Sequence, residues 1–229
     1  VKIPYTRLIA ADDRNYQFMV GLEDRYSKAA LGSKEKDMFN SLNQIGVGGE
    51  AVFQNAVDEL VAYQYANTNR RVASTKDLFD REFKMIRDWD TNTKDTAKMK
   101  FFGERQRYKT DRAGFYSYDK NSIGFMYVHQ KETVKLGDAQ GMFFGVAADE
   151  FKLKDSGGSK ERAIALQAGY YWDKAYGDNR DEVLSLRTGG EFSNREMKRR
   201  FNVVDKGYKN EADYNTVGAF ADISYAWNK

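Results

Sequence analysis

Ile164-Ala165-Leu166-Gln167-Ala168-Gly169-Tyr170-Tyr171-Trp172 and Val217-Gly218-Ala219-Phe220-Ala221-Asp222-Ile223-Ser224-Tyr225-Ala226-Trp227 are built alike. In each, one parity carries large apolar groups and finishes in aromatics, while the other carries Gly, Ala, Gln, Asp and Ser. Successive side chains of a strand point to opposite faces, so this period of two predicts a strand with one greasy face and one wet face.

The same alternation runs outward from these stretches. From about residue 98 the chain is a ladder of segments of about ten residues, drawn as strands over 98–109, 123–131, 141–152, 162–172, 182–193 and 214–227. Strand two is ambiguous, because Ile123, Phe125 and Tyr127 compete with Met126 and Val128 for the outer face. The connections alternate. Those at 111–122, 155–160 and 194–213 are long and charged, and those around Gly137 and Gly177 are shorter. Aromatics at one end of the greasy face, with long loops on one side and short turns on the other, are features of an up-and-down outer-membrane barrel.

Composition permits that reading. Charged residues are 31% of the 229 and apolar residues 41%, and no run approaches the 18 to 20 apolar residues of a membrane helix. A β-barrel needs apolar side chains on alternate positions only. The net charge of +3 is too small to argue for nucleic acid, and Lys198-Arg199-Arg200 is read as a solvated loop. Without cysteine there are no disulfides or thiolate metal sites. One proline against 19 glycines, 15 Tyr and 15 Phe suits hydrogen-bonded sheet. Val1 is no initiator, which predicts a processed or excised piece of a longer protein.

Ahead of the ladder, residues 1–49 are polar and mixed, with a short helix expected over 34–44 and a glycine break at Gly46, Gly48 and Gly49. Residues 51–88 hold no Gly or Pro and predict a helix. Phe53, Val57, Leu60 and Val61 form one apolar stripe, and Phe79, Phe83 and Ile86 form a second. Gln64-Tyr65-Ala66-Asn67-Thr68-Asn69-Arg70-Arg71, between them, is polar nearly all round. Unbroken, the helix would span about 57 Å, beyond a bilayer core of about 30 Å, and a kink is expected near Ser74-Thr75. Two accounts stay open: a surface helix packed on a sheet by its stripes, which periodicity alone favours, or a helix threaded through a water-lined pore.

Catalytic chemistry finds no constellation. His129 is the only histidine and lies within a strand, so His-based triads and metal sites drop out. Asp88-x-Asp90-x-Asn92 begins like a calcium loop, but Thr93 and Met99 stand where Gly and Glu are required. Gly157-Gly158-Ser159-Lys160 lacks phosphate-loop order and reads as a hairpin tip. Asp58-Glu59 and Asp149-Glu150 are sequence neighbours whose side chains diverge. No enzyme and no cofactor is expected.

What remains is charge on the small-residue parity. Gln167, Arg187, Glu191 and Asp222 are expected on the inner wall, where a wet lumen would let them meet Asn67, Asn69, Arg70 and Arg71 of a central helix. In a dry interior each unpaired ion would cost several kcal/mol. Ile164, Leu166, Tyr170, Trp172, Ile223, Tyr225 and Trp227 are expected to face lipid.

The helix from Val52-Phe53-Gln54-Asn55-Ala56-Val57-Asp58-Glu59-Leu60 through Gln64-Tyr65-Ala66-Asn67 to Arg70-Arg71-Val72 resembles the one preceding the translocator of autotransporters (type Va secretion). Lys98-Met99-Lys100-Phe101-Phe102-Gly103-Glu104-Arg105, running into Lys109-Thr110-Asp111-Arg112-Ala113-Gly114, is similar to that family's opening strand and loop, above all in adhesin-type members. Tyr127 to Gly137 and Asn194 to Phe201 fit the same pattern, and the likeness runs from about residue 36 onward.

The resemblance implies a twelve-stranded barrel in the bacterial outer membrane, with a helix in its pore leading to an exported passenger. Export would use the barrel-assembly machinery, and the passenger, an adhesin, would be anchored at the cell surface. Some members cut the linker helix by attack of an Asn side chain; they carry adjacent Asn residues, whereas Asn67-Thr68-Asn69 does not, which predicts an uncleaved helix.

The expected architecture is therefore the first half of a transmembrane antiparallel β-barrel, about six strands, with an N-terminal helix through the pore. Residues 1–49 would form a passenger-proximal junction, 50–90 the linker helix and 97–229 the N-terminal half of the barrel. About six strands cannot close around a helix, because even eight leave room only for side chains. The remaining strands must come from a missing C-terminal half or from another chain. The expected partners are outer-membrane lipid, the passenger, the assembly machinery and those strands. The rival reading is a soluble β-rich adhesin or ligand-binding barrel with its greasy face enclosed, and a third is a hydrolase acting on its own helix.

Overall fold

A computed structural model describes residues 4–46, 48–89, 94–132 and 138–227. The expected turn at Gly137, the stretch Asp90 to Thr93 and the Thr133 to Gly137 portion of the resemblance lie outside these residues. Four α-helices, α1 (Tyr16–Lys28), α2 (Lys34–Asn43), α3 (Glu50–Leu60) and α4 (Thr68–Arg87), precede six strands. The strands are β1 (Asp95–Tyr108), β2 (Tyr118–Glu132), β3 (Ala139–Leu153), β4 (Lys160–Tyr176), β5 (Glu182–Val203) and β6 (Lys206–Trp227). They form one antiparallel meander in chain order, each pairing with the next. The fold is mainly β, and the sheet does not close: among the described residues β1 pairs only with β2, and β6 only with β5.

The sheet bends around α4. Leu78, Phe79, Phe83 and Ile86 are buried on one side of that helix and pack with Phe102 of β1, Met126 and Val128 of β2, Phe143 and Ala147 of β3, Ala165 and Tyr171 of β4, and Phe220 of β6. This places Met126 and Val128 on the helix side and sends Ile123, Phe125 and Tyr127 to the other face, which resolves strand two. Close passage of β4 and β5 needs glycine: Gly169 and Gly189 are cross-strand partners, and a Cβ on Gly169 would run into the Thr188 carbonyl oxygen and the tip of Phe143.

Two expectations fail on local geometry. The helix over 51–88 breaks, but at residues 61–67 rather than near Ser74-Thr75. Ala62 takes a left-handed backbone (φ 63°), a single 3-10 turn covers Tyr63–Tyr65, and α4 begins at Thr68. The break is stabilised by the amides of this polar stretch. Gln64 donates to Asp155 Oδ2 at 2.9 Å, and Asn67 donates to the Tyr116 carbonyl at 2.9 Å. Both bonds reach loops distant in the chain and hold the residues of the break against them.

The long charged loop expected over 194–213 is instead a hairpin. β5 and β6 stay paired out to Val203–Lys206 around a two-residue turn. The connections therefore do not alternate long and short as expected. The reason lies at the N-terminus. Tyr5, Met19, Leu22, Phe39, Leu42, Phe53 and Val57 of the first helices form a second core, and Phe201 and Val203 of the hairpin complete it. α2 matches the short helix expected there, whereas α1 was not foreseen.

Candidate functional site

The two faces of the sheet differ in chemistry, and α4 lies against the mixed one, where buried ions and amides alternate with the apolar core. Within β4, the residues Glu161, Ala163, Ala165 and Gln167 are buried, while Arg162, Ile164, Leu166 and Tyr170 are exposed. On the far face, cross-strand pairing joins the apolar residues into one belt. Phe101 pairs with Phe125, Phe125 with Val146, Val146 with Leu166, Leu166 with Phe192 and Phe192 with Val217. Ile223 is 75% exposed, and Ile164, Leu166, Tyr170, Tyr225 and Trp227 are exposed beside it; Trp172 is half-buried.

The helix side is anchored at its upper end by a buried cluster. The Glu161 carboxylate, fully enclosed, receives Arg71 Nη2 at 2.7 Å and Arg195 Nη1 at 2.6 Å, and the Tyr214 hydroxyl donates to it as well. Arg71 also donates to Asn67 Oδ1 at 2.7 Å. One carboxylate thus ties α4 to β4, β5 and β6. A turn lower, the Thr75 and Ser122 hydroxyls meet Asp149, while Glu150 points to the opposite face, so these neighbours diverge as expected of a strand.

Further down, Arg187 pairs with Asp80 of α4 and donates to Gln167 Oε1 at 3.3 Å. Its guanidinium lies between the rings of Phe83, Phe143 and Phe220, with centroids at 4.8, 5.1 and 4.7 Å. Such contacts suit a cation held at an aromatic wall. Asp222 reaches Arg187 at 4.0 Å and is half exposed, and Glu191 is partly buried. Beside Arg187 a cavity of about 830 Å³ separates the lower half of α4 from β5 and β6, between Asp80, Lys84 and Arg87 on the helix and Ser185, Asp222 and Ser224 on the sheet.

The expected pairing between the two residue sets does not form. Asn67 and Arg71 face the sheet, but Arg71 meets Glu161, and Asn67 meets a loop carbonyl. Asn69 and Arg70 are exposed; Arg70 stacks over Tyr108 at 4.5 Å. Gln167, Arg187, Glu191 and Asp222 lie level with Asp80 rather than with the first turn of the helix. The cause is rise. From Arg71 to Asp80 the helix descends about 13 Å, and from Glu161 to Gln167 a strand tilted by about 40° descends about 15 Å. Glu161, the main partner of Arg71, and Arg195, which shares that carboxylate, were missed because the sequence set strand four to begin at 162 and read 194–213 as loop. Extending the parity of Ala163, Ala165 and Gln167 back by two would have found Glu161.

The exposed side of α4 carries Asn69, Arg70, Asp77, Arg81 and Lys84, with Arg81 bound to Glu104 at 2.6 Å. Among the described residues no group of three or more His, Asp or Glu could hold a metal ion. No helix there is long and apolar enough to cross a membrane. Compared with protein families, curated proteins and solved structures, the chain matches none.

Proposed function

We propose that this chain is the helix-plugged part of an autotransporter translocator, which exports its N-terminal passenger, an adhesin, across a bacterial outer membrane and anchors it at the cell surface. One observation carries the reading: an apolar belt crosses all six strands on the face turned away from the helix-filled concavity, which already encloses a core of its own together with buried ions. A soluble β domain buries such a belt in its core. Here Gln167 is the enclosed residue, and Ile164, Leu166 and Ile223 are the open ones.

Three features support it further. The belt on β4 runs from Ile164 to Trp172, which at a strand tilt of about 40° covers roughly 20–25 Å, the height of an outer-membrane apolar band. The exposed side of α4 is mostly polar, with Asn69, Arg70, Asp77, Arg81 and Lys84 beside Ala73 and Met85, which suits a helix inside a hydrated conduit. The free edges of β1 and β6 need strands from elsewhere in the same polypeptide or from another chain, because unpaired backbone in lipid costs several kcal/mol per group. In this reading lipid, the passenger, the assembly machinery and those strands are the partners; no catalytic group or cofactor is invoked, and α4 stays uncleaved.

The absence of cysteine makes the test direct. Single cysteines at Ile164, Leu166, Ile223 and Gln167 are placed in the full-length protein and expressed in a Gram-negative outer membrane. The first three should resist a water-soluble maleimide yet react with a lipid-partitioned one, and Gln167→Cys should do neither until α4 is released. Rapid aqueous labelling at all of the first three would end the reading. Two fragments of mature protein, in place of one band, would instead revive cleavage within the helix.

A further inference from the structure

The rim of the sheet above the apolar belt carries charge that the translocator reading leaves unused. On the outward face, Lys152 of β3, Lys160 of β4 and Lys198 of β5 stand in direct cross-strand register. Strands lie about 4.8 Å apart, so the three stems occupy about 10 Å of the rim. Like charges directly opposed across strands destabilise a sheet. Lys152 reaches Glu150 at 3.2 Å, and Lys198 reaches Glu196 at 3.0 Å and Glu211 at 3.8 Å. Lys160, at the centre, makes no ion pair among the described residues, and Arg162, one step toward the belt, meets only Glu150, at 3.7 Å. All four cations are exposed, Lys152 and Lys198 by about half.

Directly below them the outer surface is hollowed. Ala148 lies in register between Ile123 and Ile164, so a small side chain is flanked by two branched ones. The resulting groove, about 600 Å³, has Ile123, Ala148 and Ile164 on one side and Glu150, Arg162 and Glu196 on the other. It is apolar toward the belt and charged toward the lysine row.

We infer that this groove and the Lys152–Lys160–Lys198–Arg162 rim bind one phosphorylated, acylated glycolipid of the outer leaflet, an acyl chain lying along Ile123, Ala148 and Ile164 and the headgroup phosphates on the cations. The inference rests on the membrane reading. The rim belongs to the end where the chain enters the concavity at Thr68, the end of the β3–β4 and β5–β6 turns, which the translocator reading makes the cell-surface side because the passenger precedes Thr68. A row of cations about 10 Å long fits a headgroup with more than one phosphate better than a single phosphodiester. An anion there would find Lys160 still without an ion pair among the described residues, while Lys152 and Lys198 are shared with Glu150, Glu196 and Glu211.

The full-length protein is folded into phosphatidylcholine vesicles containing bisphosphorylated lipid A, its dephosphorylated form, or phosphatidylglycerol at matched charge, and retained lipid is counted by native mass spectrometry. The wild type should hold the bisphosphorylated glycolipid about tenfold more tightly than the dephosphorylated one. Lys160→Gln/Arg162→Gln/Lys198→Gln should abolish that preference, and Lys131→Gln, at the opposite end of the strands, should keep it. Equal retention of the two glycolipids by the wild type, equal retention of phosphatidylglycerol, or a preference surviving the triple substitution would overturn the site. Complete displacement by millimolar inorganic phosphate would overturn the acyl-chain component. Failure to insert into any vesicle would remove the membrane reading itself, a result distinct from insertion without preference.

Discussion

Glu161 is the residue on which the helix–sheet contact turns. It lies fully buried between two arginines that are themselves fully buried. Removing one partner of a buried ion pair leaves uncompensated charge, at a cost of about 3–5 kcal/mol. Glu161→Gln should therefore lower the guanidinium midpoint of the folded protein strongly. Adding Arg71→Met to it should recover part of the loss, because one of the stranded cations is then gone. A strictly additive double variant would show that the two residues do not act as a pair.

Asp138 makes a second residue-level case, at the foot of β3. The Lys174 ammonium at 2.6 Å, then the Ala175 amide at 3.0 Å and the Arg180 guanidinium hold its carboxyl down to about 2. A carboxylate depressed in the folded state stabilises it fully above the unfolded value of about 3.9, and that contribution disappears as pH falls toward 2. The melting temperature of Asp138→Asn should lie below that of the wild type at pH 6, and the gap should narrow below about pH 4 and close near pH 2. A gap that stayed constant over this range would show that the charge of Asp138 is not what matters.

At the scale of elements, the break between α3 and α4 sets how far the chain reaches into the concavity. Ala62 adopts a left-handed backbone there, strained for a residue with a Cβ by about 1–2 kcal/mol. Glycine removes that strain but is freer when unfolded, by roughly 0.5–1 kcal/mol. Ala62→Gly should therefore raise the melting temperature by about 1–4 °C. A fall would mean that the native bend is not held by the loop contacts of Gln64 and Asn67. The β5–β6 hairpin obeys the same rule at larger scale, since residues that read as a charged loop become strand once Phe201 and Val203 have helices to pack under.

For the whole molecule the deciding property is sidedness. Leu166 sits mid-belt between Val146 and Phe192. Leu166→Arg should destabilise the vesicle-folded protein by about 2–4 kcal/mol if that belt contacts the bilayer centre. In a water-exposed belt the same change would be neutral or favourable, so unchanged stability in lipid would count against the membrane assignment.

The sequence by itself determined that six strands follow one another and, strand two apart, which parity forms each face, because a period of two follows from the pleat and needs no partner to be legible. It also marked the apolar stripes of α3 and α4, since a 3.6-residue repeat is equally local. Only the tertiary structure decided where the helix breaks, how far β5 and β6 extend, which face strand two presents and that Arg71 meets Glu161. Each of those outcomes depends on groups distant in the chain, Asp155 for Gln64, Phe53 for Phe201, Phe79 for Met126 and Glu161 for Arg71, whose approach no window of sequence encodes.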